Sequence, residues 1–150
     1  TNITDISNQG HYAINHSAFR MIEDKPLLGL GLGQFPLVFN QQYITEATKK
    51  VEGHISHAHN DTLTMGAENG IVGIAFFWLM FGSFLFYSLK AWRESRRIED
   101  LMFFAVTLAA VIQGFTDTRF GMHAVNKLYF LLIAVYINYR FGKEKDQETL

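Results

Sequence analysis

Hydrophobic residues are distributed unevenly along this chain of 150 residues. Residues 1–62 mix polar and apolar positions, whereas residues 71–89 form an apolar run of 19 residues without a charge. At about 1.5 Å of rise per residue, a helix of that length crosses a hydrocarbon core of about 30 Å. The pattern predicts an all-α membrane protein in which a polar segment precedes the membrane-spanning helices.

Three transmembrane helices are predicted, at about residues 63–90, 101–117 and 121–140, with a tail at residues 142–150. The third has an apolar core of only 12 residues and is included because the residues before it can lengthen it. Lysine and arginine crowd the turn after the first span and follow the third, which places both on the cytoplasmic side. Residues 1–62 are then expected to be an external loop on the periplasmic or extracellular face.

Two short helices are predicted in this loop. Ile14, Ala18 and Met21 recur at helical spacing between about residues 10 and 24. A second helix is expected to begin near Pro36 and to reach about residue 50. Between them, three glycines alternate with leucines, which predicts a turn that passes close to another backbone segment. The glycine spacing fits neither of the two common nucleotide-binding loops.

Composition narrows the function. The net charge of −1 gives no basic field for nucleic acid, and the lack of cysteine removes disulfides and thiolate sites. The chain begins with Thr1 and shows no signal-peptide pattern. Three spans with a short loop make a thin bundle, so we expect further transmembrane helices upstream.

The segment HAHND, residues 57–61, carries the first candidate chemistry. Its spacing resembles the H-x-H-x-D zinc motif of metallo-hydrolases, but that motif needs another histidine where this chain has Thr62. We therefore expect no metal and no cofactor. Asn60, Asp61 and Thr62 are each good helix N-caps, which puts His59 just before a helix start. The helix dipole there disfavours imidazolium, and a neutral imidazole can accept a proton from a hydroxyl.

The spacing after His59 adds a resemblance. His59-Asn60, nine residues, Gly70, two residues and Gly73 together resemble the signature of the O-antigen ligase family of bacterial membrane glycosyltransferases. Three further stretches are similar to that family: Arg20 followed by KPLLGLGLGQF, the acid-x-Gly of residues 68–70, and GFTDT at residues 114–118.

The resemblance implies a reaction and a setting. Members move a glycan from an undecaprenyl-diphosphate lipid to lipid A-core, a glycan or a protein side chain, at the outer face of the bacterial inner membrane. This chain would be the C-terminal portion of a larger polytopic, GT-C-like bundle and would be inactive without the upstream helices. Ligase, polymerase and protein O-glycosyltransferase are not separated by these residues.

The resemblance also implies roles for single residues. His59 corresponds to the base that activates the acceptor hydroxyl, and Arg20 to an arginine that contacts the donor's diphosphate. A guanidinium group can donate two parallel hydrogen bonds to phosphate oxygens. Arg20 could instead form an ion pair with an acid on its own helix. The remaining candidates are substrate-binding Asn60, Glu68 and Arg119, and the structural glycines Gly70 and Gly73, which would let helices pack closely.

Two other functions stay open at this point. The chain could belong to a non-enzymatic transporter or flippase, but a transporter would place its polar residues near the bilayer midplane rather than at the outer edge. It could also be a zinc-dependent membrane hydrolase that uses His57, His59 and Asp61.

Overall fold

The computed structural model describes residues 3–46, 48–50, 57–116 and 123–147, with side chains at 9–46, 48–49, 57–116 and 127–140. Within these ranges the chain is helical and has no strand, in agreement with the predicted all-α class. Five α-helices follow one another: α1 (Ile3–Asp24), α2 (Phe35–Val38), α3 (Asp61–Ser95), α4 (Ile98–Thr116) and α5 (His123–Gln147).

Helix α1 is longer than predicted. It begins at Ile3 rather than near residue 10, and it ends at Asp24, just before Pro26. A glycine costs a helix interior roughly 1 kcal/mol, yet Gly10 is buried on the same face as Ile14 and Ala18. Burial of that face from Gly10 to Met21 explains why the glycine does not end the helix.

The helix predicted at residues 36–50 is wrong in its length. Only α2 and a π-helical turn at Phe39–Tyr43 form before the backbone becomes extended at Ile44. The Ser17 hydroxyl donates to the Tyr43 carbonyl at 3.1 Å, so that this carbonyl is bonded to α1. A short 3₁₀ turn, Thr48–Lys50, follows.

Seven buried residues form the core that joins α1, the segment of α2 and the π-helical turn, and the start of α3: Ile14, Ala18, Met21, Phe35, Phe39, Ala58 and Ala67. The two phenylalanine rings stack with their centroids 5.7 Å apart. This core fixes α1 and α2 against the first helical turns of α3, which is where the candidate site lies.

Helix α3 is interrupted at Gly70, where φ is +65° and ψ is −163°. In an unbroken helix, the next two N–H groups would donate four residues back along the same helix. Here Ile71 N–H donates to the Pro26 carbonyl at 2.8 Å, and Val72 N–H to the Leu27 carbonyl at 3.5 Å. The glycine-rich loop, residues 26–33, therefore accepts the hydrogen bonds that the break leaves without helical partners.

The loop also donates to the other side of the break. Leu30 N–H bonds the Ala67 carbonyl at 2.9 Å, and Gly31 N–H bonds the Glu68 carbonyl at 2.8 Å. These are the two carbonyls that would otherwise accept from within α3. All four backbone groups freed by the break are thus satisfied, which is what a buried interruption requires.

In the described part of the chain, two helices, α3 and α4, are long and apolar enough to cross a membrane. Their most apolar stretches are only 17% and 22% buried, so most of their apolar surface is left for lipid or for other helices. The first two predicted spans correspond to them. The third predicted span is helical in α5, but α5 is not one of these two helices. The count of three spans is therefore not confirmed.

Aromatic residues pack these three helices together. Buried side chains of all three meet in one cluster of six residues: Phe77, Phe81, Phe103, Ala110, Tyr129 and Ile133. The Tyr129 hydroxyl donates to Thr107 Oγ1 at 3.2 Å, and the Tyr136 hydroxyl donates to Asp100 at 2.8 Å. The pairing satisfies polar groups that would be costly in an apolar interior.

Candidate functional site

Asn60 is the N-cap of α3. Its backbone is extended, and its side-chain Oδ1 accepts from Leu63 N–H at 3.0 Å. The Asn60 amide Nδ2 also donates to the Phe115 carbonyl at 3.4 Å, which ties the start of α3 to the end of α4. Of the three predicted capping residues, Asn60 therefore takes the position, and Asp61 and Thr62 lie within the helix. Substrate binding by Asn60 stays a prediction.

His59 lies directly before this cap, as predicted, and is half-buried. Its ring centroid is 4.0 Å from that of His11 on α1 and 5.3 Å from that of His57. Between the two loop histidines, Ala58 is fully buried, and its carbonyl accepts from the Thr64 hydroxyl at 3.1 Å. The bonds around the cap thus fix the backbone that carries His59.

His11 is a contact of His59 that the sequence interpretation missed. It lies three, seven and ten residues before Ile14, Ala18 and Met21, which is the spacing of one helix face. That face is buried, so the same periodicity that predicted α1 also pointed His11 toward the core. The sequence did not indicate that His59 is the partner of His11, because no local pattern brings residue 11 next to residue 59.

The predicted zinc alternative finds no support in the geometry. Among the residues that the structure describes, no group of three histidine or acidic side chains is arranged to hold a metal ion. His57 and His59 contact each other ring to ring. Asp61 instead lies over Gly114 of α4, where an added Cβ would be 2.6 Å from its Oδ2.

Glu68 is buried beneath the glycine-rich loop. Its carboxylate Oε1 accepts from Phe35 N–H at 3.3 Å, while its own carbonyl accepts from Gly31. Glu68 thus bonds the glycine-rich loop through its carbonyl and the start of α2 through its carboxylate. The expectation that Glu68 orients His59 or Arg20 stays untested, and the bond that the structure gives its carboxylate is to Phe35.

At Gly70 and Gly73 a side chain is excluded by contacts other than the predicted packing of one helix on another. An added Cβ at Gly70 would lie 2.3 Å from the carbonyl carbon of Leu27, so the loop backbone occupies its side-chain position. At Gly73 an added Cβ would lie 2.3 Å from the Cβ of Asn69, a residue of the same helix before the break. Both glycines thus belong to the interruption of α3.

Arg20 lies in a polar cleft of about 400 Å³ between α1 and the segment at residues 39–45. The lining residues carry hydroxyl, amide, carboxylate and guanidinium groups: Ser17, Arg20, Glu23, Asp24, Gln42, Tyr43, Ile44 and Thr45. Within the described part of the chain, no carboxylate forms an ion pair with Arg20. The alternative of an ion pair on the same helix is therefore not what the structure shows.

Asp24, four residues after Arg20, bonds Tyr43 rather than Arg20. The Tyr43 hydroxyl donates to Asp24 Oδ2 in a short hydrogen bond. This bond, with burial and the Asp24 charge, raises the pKa of Tyr43 to about 12, while the Arg20 charge acts in the opposite direction. Since the Tyr43 carbonyl also accepts from Ser17, the residue is attached to α1 by both its backbone and its side chain.

The structure groups the predicted site residues into two places. His59 lies with His11 and His57 at the start of α3, and Arg20 lies in the cleft. Nine residues separate His11 from Arg20 on α1, which corresponds to about 13.5 Å along the axis and half a turn around it. Arg119 lies outside the described residues.

The segment from α1 to the first half of α3 matches a known protein family. A family model described as O-antigen ligase matches residues 2–78, which is 77 of the 150 residues. The match covers α1, the glycine-rich loop, His59 and the interrupted start of α3. No curated protein matches the chain. The match to more than half of its length shows that the chain belongs to the O-antigen ligase family.

Proposed function

We propose that the intact protein transfers a glycan from an undecaprenyl-diphosphate-linked donor to an acceptor hydroxyl at the periplasmic face of the bacterial inner membrane. Family membership supports glycosyl transfer of the ligase or polymerase type in general. The donor, the acceptor and the membrane side are part of the proposal. The acceptor belongs to lipid A-core, a glycan or a protein, and residues 1–62 and the C-terminus lie on the periplasmic and cytoplasmic sides, respectively.

His59 is the proposed general base. The acceptor oxygen attacks the anomeric carbon of the donor, its proton moves to the imidazole, and the bond from that carbon to the diphosphate breaks. The lipid diphosphate leaves with the bonding electron pair and needs charge stabilisation rather than protonation. The observation that carries the proposal is the place of His59, half-buried at the N-terminus of the apolar helix α3 and in contact with His11.

Arg20 is the proposed donor contact. It is exposed, its guanidinium is not engaged by an acid of the described chain, and it opens on a polar cleft large enough for a diphosphate. An unpaired guanidinium keeps its N–H donors for phosphate oxygens. Because Arg20 and His59 are in separate places, one donor must extend from the cleft toward the start of α3. Arg119 remains a second candidate on the same side.

The test is glycan transfer from a lipid-diphosphate donor by the intact protein in membranes. Removing a general base costs typically 10²- to 10⁴-fold, and we expect that loss in kcat for His59→Ala. For Arg20→Ala we expect the KM for the donor to rise about tenfold or more, with partial recovery in Arg20→Lys. His16→Ala, an exposed histidine on α1, is the matched control.

Adding a chelator distinguishes the proposed transferase from a zinc-dependent hydrolase. Transfer that persists in the presence of a chelator agrees with the proposal, and loss on chelation alone favours a metal enzyme. Wild-type transfer by both the His59 and Arg20 variants would refute the proposed roles.

A further inference from the structure

We propose that Tyr43 is a positioning residue that keeps Arg20 available for the donor by occupying the Asp24 carboxylate. The inference rests on the proposed function, because it assumes that Arg20 binds the donor's diphosphate. It goes beyond that function by assigning a task to a residue that lies outside the family signature and does not touch the reacting atoms.

Arg20 and Asp24 lie on the same stretch of α1. Arg20 and Asp24 are four residues apart, and side chains at that spacing are neighbours on a helix surface. An arginine and an aspartate so placed ordinarily attract one another. In the described part of this chain they form no ion pair, although both line the same cleft.

Asp24 bonds Tyr43 instead of Arg20. The Tyr43 hydroxyl donates to Asp24 Oδ2, and hydrogen bonds to an ionised acceptor are stronger than those between neutral groups. The Tyr43 backbone is itself fixed, because its carbonyl accepts from the buried Ser17 hydroxyl at 3.1 Å. The fold therefore places the Tyr43 hydroxyl next to Asp24, because the Tyr43 backbone is held on α1.

The bond between Tyr43 and Asp24 has a consequence for the cleft. An Arg20–Asp24 ion pair would use guanidinium N–H donors that a diphosphate in the cleft would otherwise bind. With Asp24 engaged by Tyr43, the guanidinium keeps its donors for phosphate oxygens. The raised pKa of Tyr43 agrees with a hydroxyl that stays protonated as a donor to this carboxylate.

The competition makes opposite predictions for two variants that break the same hydrogen bond. Tyr43→Phe releases Asp24 toward Arg20, so we expect the KM for the lipid-diphosphate donor to rise roughly two- to fivefold, the factor of an exposed ion pair. Asp24→Asn also removes the strong hydrogen bond but leaves no charge to compete for Arg20. Its KM should be at or below that of the wild type, and kcat should change little in either variant.

The double variant Tyr43→Phe/Asp24→Asn is the decisive rescue, since we expect it to return the KM to the Asp24→Asn value. Tyr12→Phe, an exposed tyrosine of α1, controls for loss of a hydroxyl. If Tyr43 only stabilises the segment, both single variants will raise the KM alike and the double variant will not recover, which overturns the inference. A Tyr43→Phe enzyme with wild-type KM overturns it as well.

Arg20→Ala distinguishes this failure from failure of the proposed function. If Arg20→Ala raises the donor KM while the rescue fails, only the inference is wrong. If Arg20→Ala leaves the KM unchanged, the donor site and the inference are both wrong. Thermal unfolding of each variant, measured in the same detergent, identifies any that do not fold.

Discussion

Gly70 of α3 lies directly against the backbone of Leu27 in the glycine-rich loop: a Cβ added to Gly70 would be 2.3 Å from the Leu27 carbonyl oxygen. The approach is mutual, because a Cβ added to Gly29 would be 2.4 Å from the Glu68 carbonyl carbon. Loop and helix therefore exchange backbone hydrogen bonds at a distance that only glycine permits, and the candidate site is built around that exchange.

Substitution of glycine by alanine should separate the cost of a positive φ from the cost of a clash with the neighbouring backbone. Gly70→Ala adds strain at a φ of +65° and a backbone clash, and we expect a loss of about 3 kcal/mol or more. Gly33→Ala adds strain at +72° with open space around it, and should cost about 1–2 kcal/mol. Gly82→Ala, in the helical part of α3 with nothing nearby, should be neutral or stabilising by up to about 1 kcal/mol.

Thermal unfolding in one detergent measures all three alanine variants. Gly82→Ala is the internal control, because it makes the same chemical change in the same helix. Equal stability of the Gly70 and Gly82 variants would contradict the described contact between the loop and the helix.

Glu68 should hold the loop end through its carboxylate. Glu68→Ala leaves Phe35 N–H without its buried acceptor, and a hydrogen bond to a charged group is worth about 1.5–3 kcal/mol. We therefore expect faster amide hydrogen exchange at Phe35 and in residues 26–31. Glu68→Gln keeps an acceptor oxygen and should stay near the wild type. Unchanged exchange in the alanine variant would show that the bond does not fix the loop.

His11 should matter to transfer through its contact with His59. His11→Ala removes a ring 4.0 Å from the proposed base, and a small misplacement of a catalytic group costs on the order of 10- to 100-fold in kcat. His11→Phe restores a ring and should recover part of the loss. The measurement is transfer kinetics with His16→Ala as control, and wild-type kcat in His11→Ala would rule out this role.

Tyr43 should titrate well above an ordinary tyrosine. Its pKa is raised from 10.0 to about 12, first by the hydrogen bond to Asp24. Because the folded value lies above the unfolded one, the bond contributes its full stability below about pH 10 and loses it as pH rises through about 12. The near-ultraviolet tyrosinate absorbance of the wild type minus that of Tyr43→Phe isolates this group.

Asp24→Asn should lower that pKa toward 10, because it removes the charge that favours the protonated hydroxyl. Titration of Tyr43 near pH 10 in both the wild type and the Asn variant would contradict the hydrogen bond.

The start of α3 could be predicted from sequence because its determinants are local. Asn60 has the chemistry of a cap, and the uncharged run that follows it sets the first span. The motif around His59 carried the family resemblance, and the family model confirms it. A third span is predicted from a short apolar run with basic flanks, but α5, the helix that contains this run, is not among the two helices of the described chain that are long and apolar enough to cross a membrane.

The interruption at Gly70 could not be predicted, because the groups that satisfy it come from residues 26–31, some 40 positions earlier. The alternating glycines indicated a close backbone approach but not to which segment. His11 and Tyr43 were missed for the same reason: each acts through a partner that is distant in sequence, His59 and Asp24. Pairwise contacts of this kind follow from the tertiary fold rather than from periodicity or motif spacing.

The most direct test of the account is chemical rescue of the proposed base. His59→Gly in the intact protein should lose transfer by 10²- to 10⁴-fold, and added imidazole should restore it in proportion to the concentration of the neutral form. His16→Ala, which changes an exposed histidine of α1, should keep its activity and should not respond to imidazole. Wild-type transfer by His59→Gly, or a loss that imidazole cannot restore in a folded variant, would contradict the role of His59 as the base.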